Sequence, residues 1–145
     1  MKKSILFILV SLFAFQMASA RDIITMDMEK LPKEARNVIA KHFPSEKVSY
    51  IKIDEELLYI TYEVVFVNGS EIEFAEDGQW IEIDCKHSEV PAGLVPEKIG
   101  SYVKQNFATS FITQIEKKRH GYEVELSNNL DLRFDRSGNF RRFDD

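Results

Sequence analysis

Two stretches of the chain carry apolar residues at helical spacing. In LPKEARNVIAKHFP, residues 31–44, Ala35, Val38, Ile39, His42 and Phe43 fall on one face. Pro32 suits a first helical turn, where its missing N–H leaves no partner unsatisfied, and Pro44 ends the run. In VPEKIGSYVKQNFATS, residues 95–110, Ile99, Tyr102, Val103 and Phe107 form the same stripe behind Pro96. Each stretch predicts one short amphipathic helix.

A period of two follows each helix. KVSYIKI at 47–53 and FITQIEK at 111–117 are rich in β-formers. YEVVFVNGSEIEF at 62–74 then stands against YEVELSNNLDLRF at 122–134. Asn68 and Gly69 in the first, and Asn128 and Asn129 in the second, are residues that tolerate the positive φ of a tight turn. FAEDGQW at 74–80 and FDRSGNF at 134–140 supply a second turn and share a phenylalanine, a glycine and a closing aromatic. The offset is 64 between the helices and 60 between the hairpins, so the first half holds four more residues, placed near Asp54, Glu55 and Glu56.

Alternation assigns the faces. Tyr62, Val64, Phe66, Ile72 and Phe74, with Tyr122, Val124, Leu126, Leu132 and Phe134, belong to the face that takes the helices. Glu63, Val65, Glu71 and Glu73, with Glu123, Glu125, Asp131 and Arg133, belong to the other. The predicted class is α+β: two tandem helix-plus-antiparallel-strand repeats, 31–84 and 95–145, with the helices packed on one face of the sheet. Residues 85–94 read as a linker. Residues 21–30 show no clear period and read as a loose N-terminal segment. The strand order stays open, as does the choice between one sheet and two.

The first 20 residues change the compartment. Lys2 and Lys3 precede an apolar run, and Ala18, Ser19 and Ala20 form a small-residue cleavage signal. The run is too short to span a bilayer comfortably. A signal peptide cleaved near Ala20 places the protein in the periplasm or outside the cell, and not across a membrane. Removing 1–20, with two lysines and no acid, takes the formal net charge from −5 to −7 over 125 residues. An acidic chain repels phosphate backbones, which excludes nucleic acid as a partner. The single cysteine, Cys85, rules out an internal disulfide and reads as a partly exposed free thiol.

Candidate chemistry is sparse. Acids crowd the first half between Asp54 and Glu89, with Lys52 and Lys86 as the nearby bases; from Glu116 on, seven acids meet seven bases. The localised negative surface therefore belongs to the first half. Like charges side by side on a sheet face destabilise it, a cost that a basic partner or a cation would relieve. Cys85 and His87 give two ligands where zinc needs three or four, and no calcium-loop motif occurs, so no metal or cofactor is expected. No nucleophile elbow, HExxH motif or phosphate-cradling glycine loop is present, which points away from an enzyme. Trp80 closes the first hairpin and reads as a cap on the core.

The doubled unit (aliphatic-Pro helix, YEV strand, F-x-x-x-G-x-aromatic hairpin, all behind a signal peptide) resembles the exported PepSY-like, beta-lactamase-inhibitor-like family over nearly all of 31–145. The resemblance implies two α+β repeats side by side in one antiparallel sheet. In beta-lactamase inhibitory proteins the exposed sheet face and two hairpin loops grip the enzyme. The loops matching by position are Asn68 with Gly69 and Asn128 with Asn129. Such inhibitors carry disulfides; this chain departs from them.

The expected function is that of an exported, non-enzymatic binding module that meets another envelope or secreted protein. Its contact set is Glu63, Glu71, Glu73, Asn68, Gly69, Asn128, Asn129 and Arg133. Two other readings stay open: sensing of a cation or small ligand by the acidic sheet face, and inhibition of a hydrolase such as a beta-lactamase or peptidase.

Overall fold

Two prolines start the helices. Pro32 and Pro96 sit in extended conformations directly before α1 (Lys33–His42) and α2 (Glu97–Asn106). Ala35 and Ile39 in α1, and Ile99 and Val103 in α2, are buried. These are the residues at helical spacing that the sequence pattern assigns to the inner face. The computed structural model describes residues 21–144. The signal-peptide reading of 1–20 lies outside the described residues.

Nine strands form one antiparallel sheet whose order in space is their order in the chain. They are β1 (Arg21–Thr25), β2 (Val48–Glu55), β3 (Ile60–Phe66), β4 (Glu71–Ala75), β5 (Trp80–Asp84), β6 (Ile112–Lys118), β7 (Gly121–Leu126), β8 (Asp131–Asp135) and β9 (Phe140–Asp144). α1 precedes β2 and α2 precedes β6. The question of strand order is thereby resolved: β5 pairs with β6 through Glu82↔Glu116, Ile83↔Ile115 and Asp84↔Gln114, and the sheet is continuous.

Register explains the core. Ile51, Val64, Ile72, Ile83, Ile115, Val124 and Leu132 are successive cross-strand partners from β2 to β8. All seven are buried, and they belong to one hydrophobic cluster with the buried faces of both helices. Phe43 stacks on Phe66 with ring centroids 5.3 Å apart, and Tyr102 meets Phe134 edge-on at 5.5 Å. The outward face has the opposite composition because the pleat alternates. The structure thus has the α+β layering, with the helices on one face.

The two glycine turns hold the helix starts against the sheet. Gly78 has φ +82°, and a Cβ there would come within 2.9 Å of the Ala35 backbone nitrogen. Gly138 has φ +79°, and a Cβ there would lie 3.1 Å from Lys98 Cβ. Trp80, after the first turn, is buried in the core, with the Lys117 ammonium 3.8 Å from its ring centre. Phe140, after the second, stacks on Tyr102 at 4.8 Å. Bulges interrupt the ladder at Val48/Tyr50, Glu73/Phe74, Ile112/Gln114 and Arg133/Phe134.

Two expectations are corrected. Residues 21–30 are not loose: Arg21–Thr25 pair along β2 from Glu55 to Ile51, and Met28–Lys30 form a single 3-10 turn capped by the Asp27 side chain. An edge strand gains its order from backbone hydrogen bonds to one neighbour and needs no apolar period of its own. Cys85 is not exposed. It is buried at 4% relative exposure, together with Val90 and Leu94, so the stretch between β5 and α2 covers the core.

Candidate functional site

The outward sheet face is a charge pattern written by register. Lys52, Glu63, Glu73, Glu82, Glu116, Glu123, Arg133 and Arg142 are successive cross-strand partners from β2 to β9. Five neighbouring strands therefore present glutamates in line, over about 19 Å at the usual strand spacing. Bases close the row at both ends. A parallel row runs Glu71, Asp84, Gln114, Glu125, Asp131 and Asp144.

The bases satisfy the flanks and leave the middle. Lys52 reaches Asp54 at 3.0 Å and Asp22 at 3.4 Å. Lys86 reaches Asp84 at 2.6 Å and Glu71 at 3.4 Å. Lys118 pairs with Glu116 at 2.6 Å, and Arg133 with Glu123 at 2.9 Å and Asp144 at 2.6 Å. Among the described residues, no ion pair reaches Glu63, Glu73 or Glu82. Glu82 accepts a hydrogen bond from the Gln114 amide.

Burial and like charge act together on Glu73 and Glu82. Partial burial, then the charges of Glu63, Glu116 and Asp54, push the Glu73 carboxyl above the ordinary glutamate range. Burial and then Glu116 do the same to Glu82, against the opposing hydrogen bond from Gln114. Glu63, Glu71, Glu73, Glu82 and Asp84 line a cleft of about 60 Å³. Its walls attract positive charge, but among the described residues no group of three Asp, Glu, His or Cys side chains converges to hold a metal ion.

The expected contact residues fall into two places. Glu63, Glu71, Glu73 and Arg133 lie on the outward face, on β3, β4 and β8. Asn68, Gly69, Asn128 and Asn129 lie in the β3–β4 and β7–β8 turns, at one end of the sheet. There Asn68 Oδ1 accepts from Ser70 N at 2.9 Å, and Asn128 Oδ1 from Leu130 N at 3.3 Å. Gly69 and Asn129 take the positive φ values of +88° and +62°. Both side-chain amides therefore shape their own turns.

The glutamate row also corrects the placement of negative charge in the first half alone, since Glu116 and Glu123 extend it into the second. Counting charges along the chain hides this, because Lys118 and Arg133 sit at the margin of the row. Glu82, Glu116 and Glu123 are absent from the expected contact set. Alternation already turns Glu123 outward, and beside Ile83 and Ile115 it would have done the same for Glu82 and Glu116, but their alignment requires the β5–β6 pairing.

Other chemistry recedes. Burial first, then the charges of Asp84 and Glu46, push the Cys85 thiol up to about 11, far from thiolate chemistry. His87 is exposed beside it. His42 ends α1, and burial with the nearby Lys41 charge lowers its pKa. Among the described residues, no helix is long and apolar enough to cross a membrane.

This fold and face have relatives. A family model described as "Putative beta-lactamase-inhibitor-like, PepSY-like" matches residues 60–142. A solved structure from Bacteroides vulgatus, described as a "putative periplasmic protein of unknown function", is 42% identical with a TM-score of 0.81, covering 86% of this chain and 100% of that one. A "putative calcium-regulated periplasmic protein" from Bacteroides thetaiotaomicron is 37% identical at TM-score 0.81, covering 86% and 97%. A second Bacteroides vulgatus structure, described as a "putative periplasmic protein", is 36% identical at TM-score 0.80, with the same coverage. No curated protein matches the chain. None of these descriptions states a catalytic activity. The chain belongs to the PepSY-like, beta-lactamase-inhibitor-like family.

Proposed function

We propose that the protein is a periplasmic, non-enzymatic binding module, exported by cleavage near Ala20, whose outward sheet face receives a cationic surface of another envelope protein. One observation carries this reading: Glu63, Glu73 and Glu82 stand side by side and, among the described residues, none of them forms an ion pair, although bases pair with the acids around them. A face built this way loses stability when empty and regains it on meeting positive charge. Periplasmic relatives at 36–42% identity support the compartment. The test is quantitative capture of envelope proteins by wild type and by Glu63→Gln/Glu73→Gln/Glu82→Gln, at low and moderate salt. A set of basic proteins retained by wild type, weakened by salt and lost from the variant supports the reading; identical sets refute it.

A second reading has its own observation. The acid-lined cleft resembles an unassembled oxygen-ligand cage, and one relative is described as calcium-regulated. Calcium takes six to eight oxygens, more than the present spacing gathers, so this reading requires the carboxylates to close on the ion. Calorimetric titration with calcium decides it. Saturable heat that Glu73→Gln abolishes supports it; absence of heat at millimolar calcium removes it. The family name adds inhibition of a hydrolase as a partner class, assayed by turnover of beta-lactamases and peptidases with saturating protein.

The proposal also takes 31–84 and 95–145 as two copies of one unit, joined by 85–94. The matched bulges, glycine turns and proline-led helices favour it.

A further inference from the structure

Of the four residues by which the first half exceeds the second, one lengthens β2, one lengthens β3 and two lengthen the loop between them. β2 and β3 are joined by residues 56–59, Glu-Leu-Leu-Tyr, whereas β6 and β7 are joined by residues 119–120 alone. The longer loop closes on itself, with Glu56 N donating to Tyr59 O at 3.0 Å. It directs its apolar side chains into solvent: Leu57 is 84% exposed, Leu58 88% and Tyr59 54%. A soluble protein has no folding reason to put two leucines at a loop tip. Beside the tip lies a shallow groove of about 610 Å³, lined by Tyr59, Ile60, Thr61, Ala75, Ile81 and the acids Glu76 and Asp77.

We infer that this tip and groove form the anchor through which the module docks a partner protein, and that the partner presents an amphipathic segment with basic residues flanking its apolar side chains. The inference rests on the binding-module reading and names where on the module the contact is made.

Charge complementarity selects the occupant. Glu55 and Glu56 flank the leucines, and Glu76 and Asp77 rim the groove. Of the bases near this ring, Arg21 stands across from Glu55 on β1 and Lys117 is held over Trp80, so the acids stay in excess. An anionic lipid surface is repelled by this ring, since interfacial insertion relies on basic residues around the apolar ones. A second copy of the chain would bring two acidic rings together. A basic segment gains on both counts: its apolar residues cover Leu57 and Leu58, and its lysines or arginines meet the rim. The same segment, continuing across the sheet, reaches Glu63, Glu73 and Glu82.

The test measures anisotropy of a labelled amphipathic leucine–lysine peptide, and of its counterpart with glutamate for lysine, against the purified protein. The lysine peptide is expected to bind and the glutamate peptide not. Leu57→Ser/Leu58→Ser should weaken binding about tenfold or more, with an unchanged thermal midpoint because the tip supports no core. Glu55→Gln/Glu56→Gln should weaken it and lower its salt dependence. Undiminished binding by the leucine variant overturns the inference, as does equal binding of the glutamate peptide. So does flotation with phosphatidylglycerol vesicles, or a concentration-dependent dimer, if either is lost on removing the leucines. Loss of binding in Glu63→Gln/Glu73→Gln/Glu82→Gln with full binding by the leucine variant would leave the sheet-face reading standing and the anchor refuted.

Discussion

At Glu73, a carboxylate is held half-buried between Glu63 and Glu82 on the two adjoining strands. Folding raises its pKa, so over the interval just above the ordinary glutamate value the folded state holds a proton that the unfolded chain has released. Stability therefore falls as pH rises through that interval and stays lower above it. Glu73→Gln should raise stability at neutral pH by a few tenths to about 1 kcal/mol, the usual scale of a like-charge cross-strand pair. The gain should vanish once the pH drops below the ordinary glutamate value. Thermal melts of both proteins across pH check it. Asp135 acts in the opposite sense: the Asn139 backbone N–H and side chain hold it down at about 2, so its contribution is lost as pH falls from the usual aspartate range towards that value. Cys85 makes a separate prediction. With its thiol buried and raised to about 11, it should resist a thiol reagent at pH 8 in the folded protein and react fully in denaturant.

The glycine turns are where elements depend on single atoms. Gly78→Ala combines a positive φ with a Cβ 2.9 Å from α1 backbone, while Gly138→Ala meets the more pliant Lys98 side chain at 3.1 Å. Both should destabilise by more than about 1 kcal/mol, with Gly78→Ala the larger; urea midpoints give the order. These turns, the helices and the inner strands were legible in the sequence because their signals are local. A proline opens each helix, alternation separates Val64 from Glu63, and a glycine follows Asp77 and Ser137. β1 was not legible, since four of its five residues are exposed and its order comes from β2, far along the chain. Cys85 misled because its polar neighbours, Lys86 and His87, turn outward while it turns in. The glutamate row was half legible: alternation points each glutamate outward, but only pairing across β5 and β6 lines up Glu82 with Glu116.

Across the whole molecule, one cluster joins α1, α2 and the inner faces of β2 to β8. Both halves therefore share a core, and urea unfolding should follow a single transition that fluorescence of Trp80 and circular dichroism report alike. Two separated transitions would mean that the halves fold independently. The layering also divides labour: helices and core on one side, and on the other an acidic surface whose central glutamates, Glu63, Glu73 and Glu82, form no ion pair among the described residues. That division is tested by placing a photo-crosslinking residue at Glu82, on the outward face, and at Gln105, exposed on α2, in the protein as expressed in its own envelope. A discrete crosslinked partner from Glu82, weakened by Glu63→Gln/Glu73→Gln and absent from Gln105, is the predicted result. A partner crosslinked from Gln105 and not from Glu82 would contradict it.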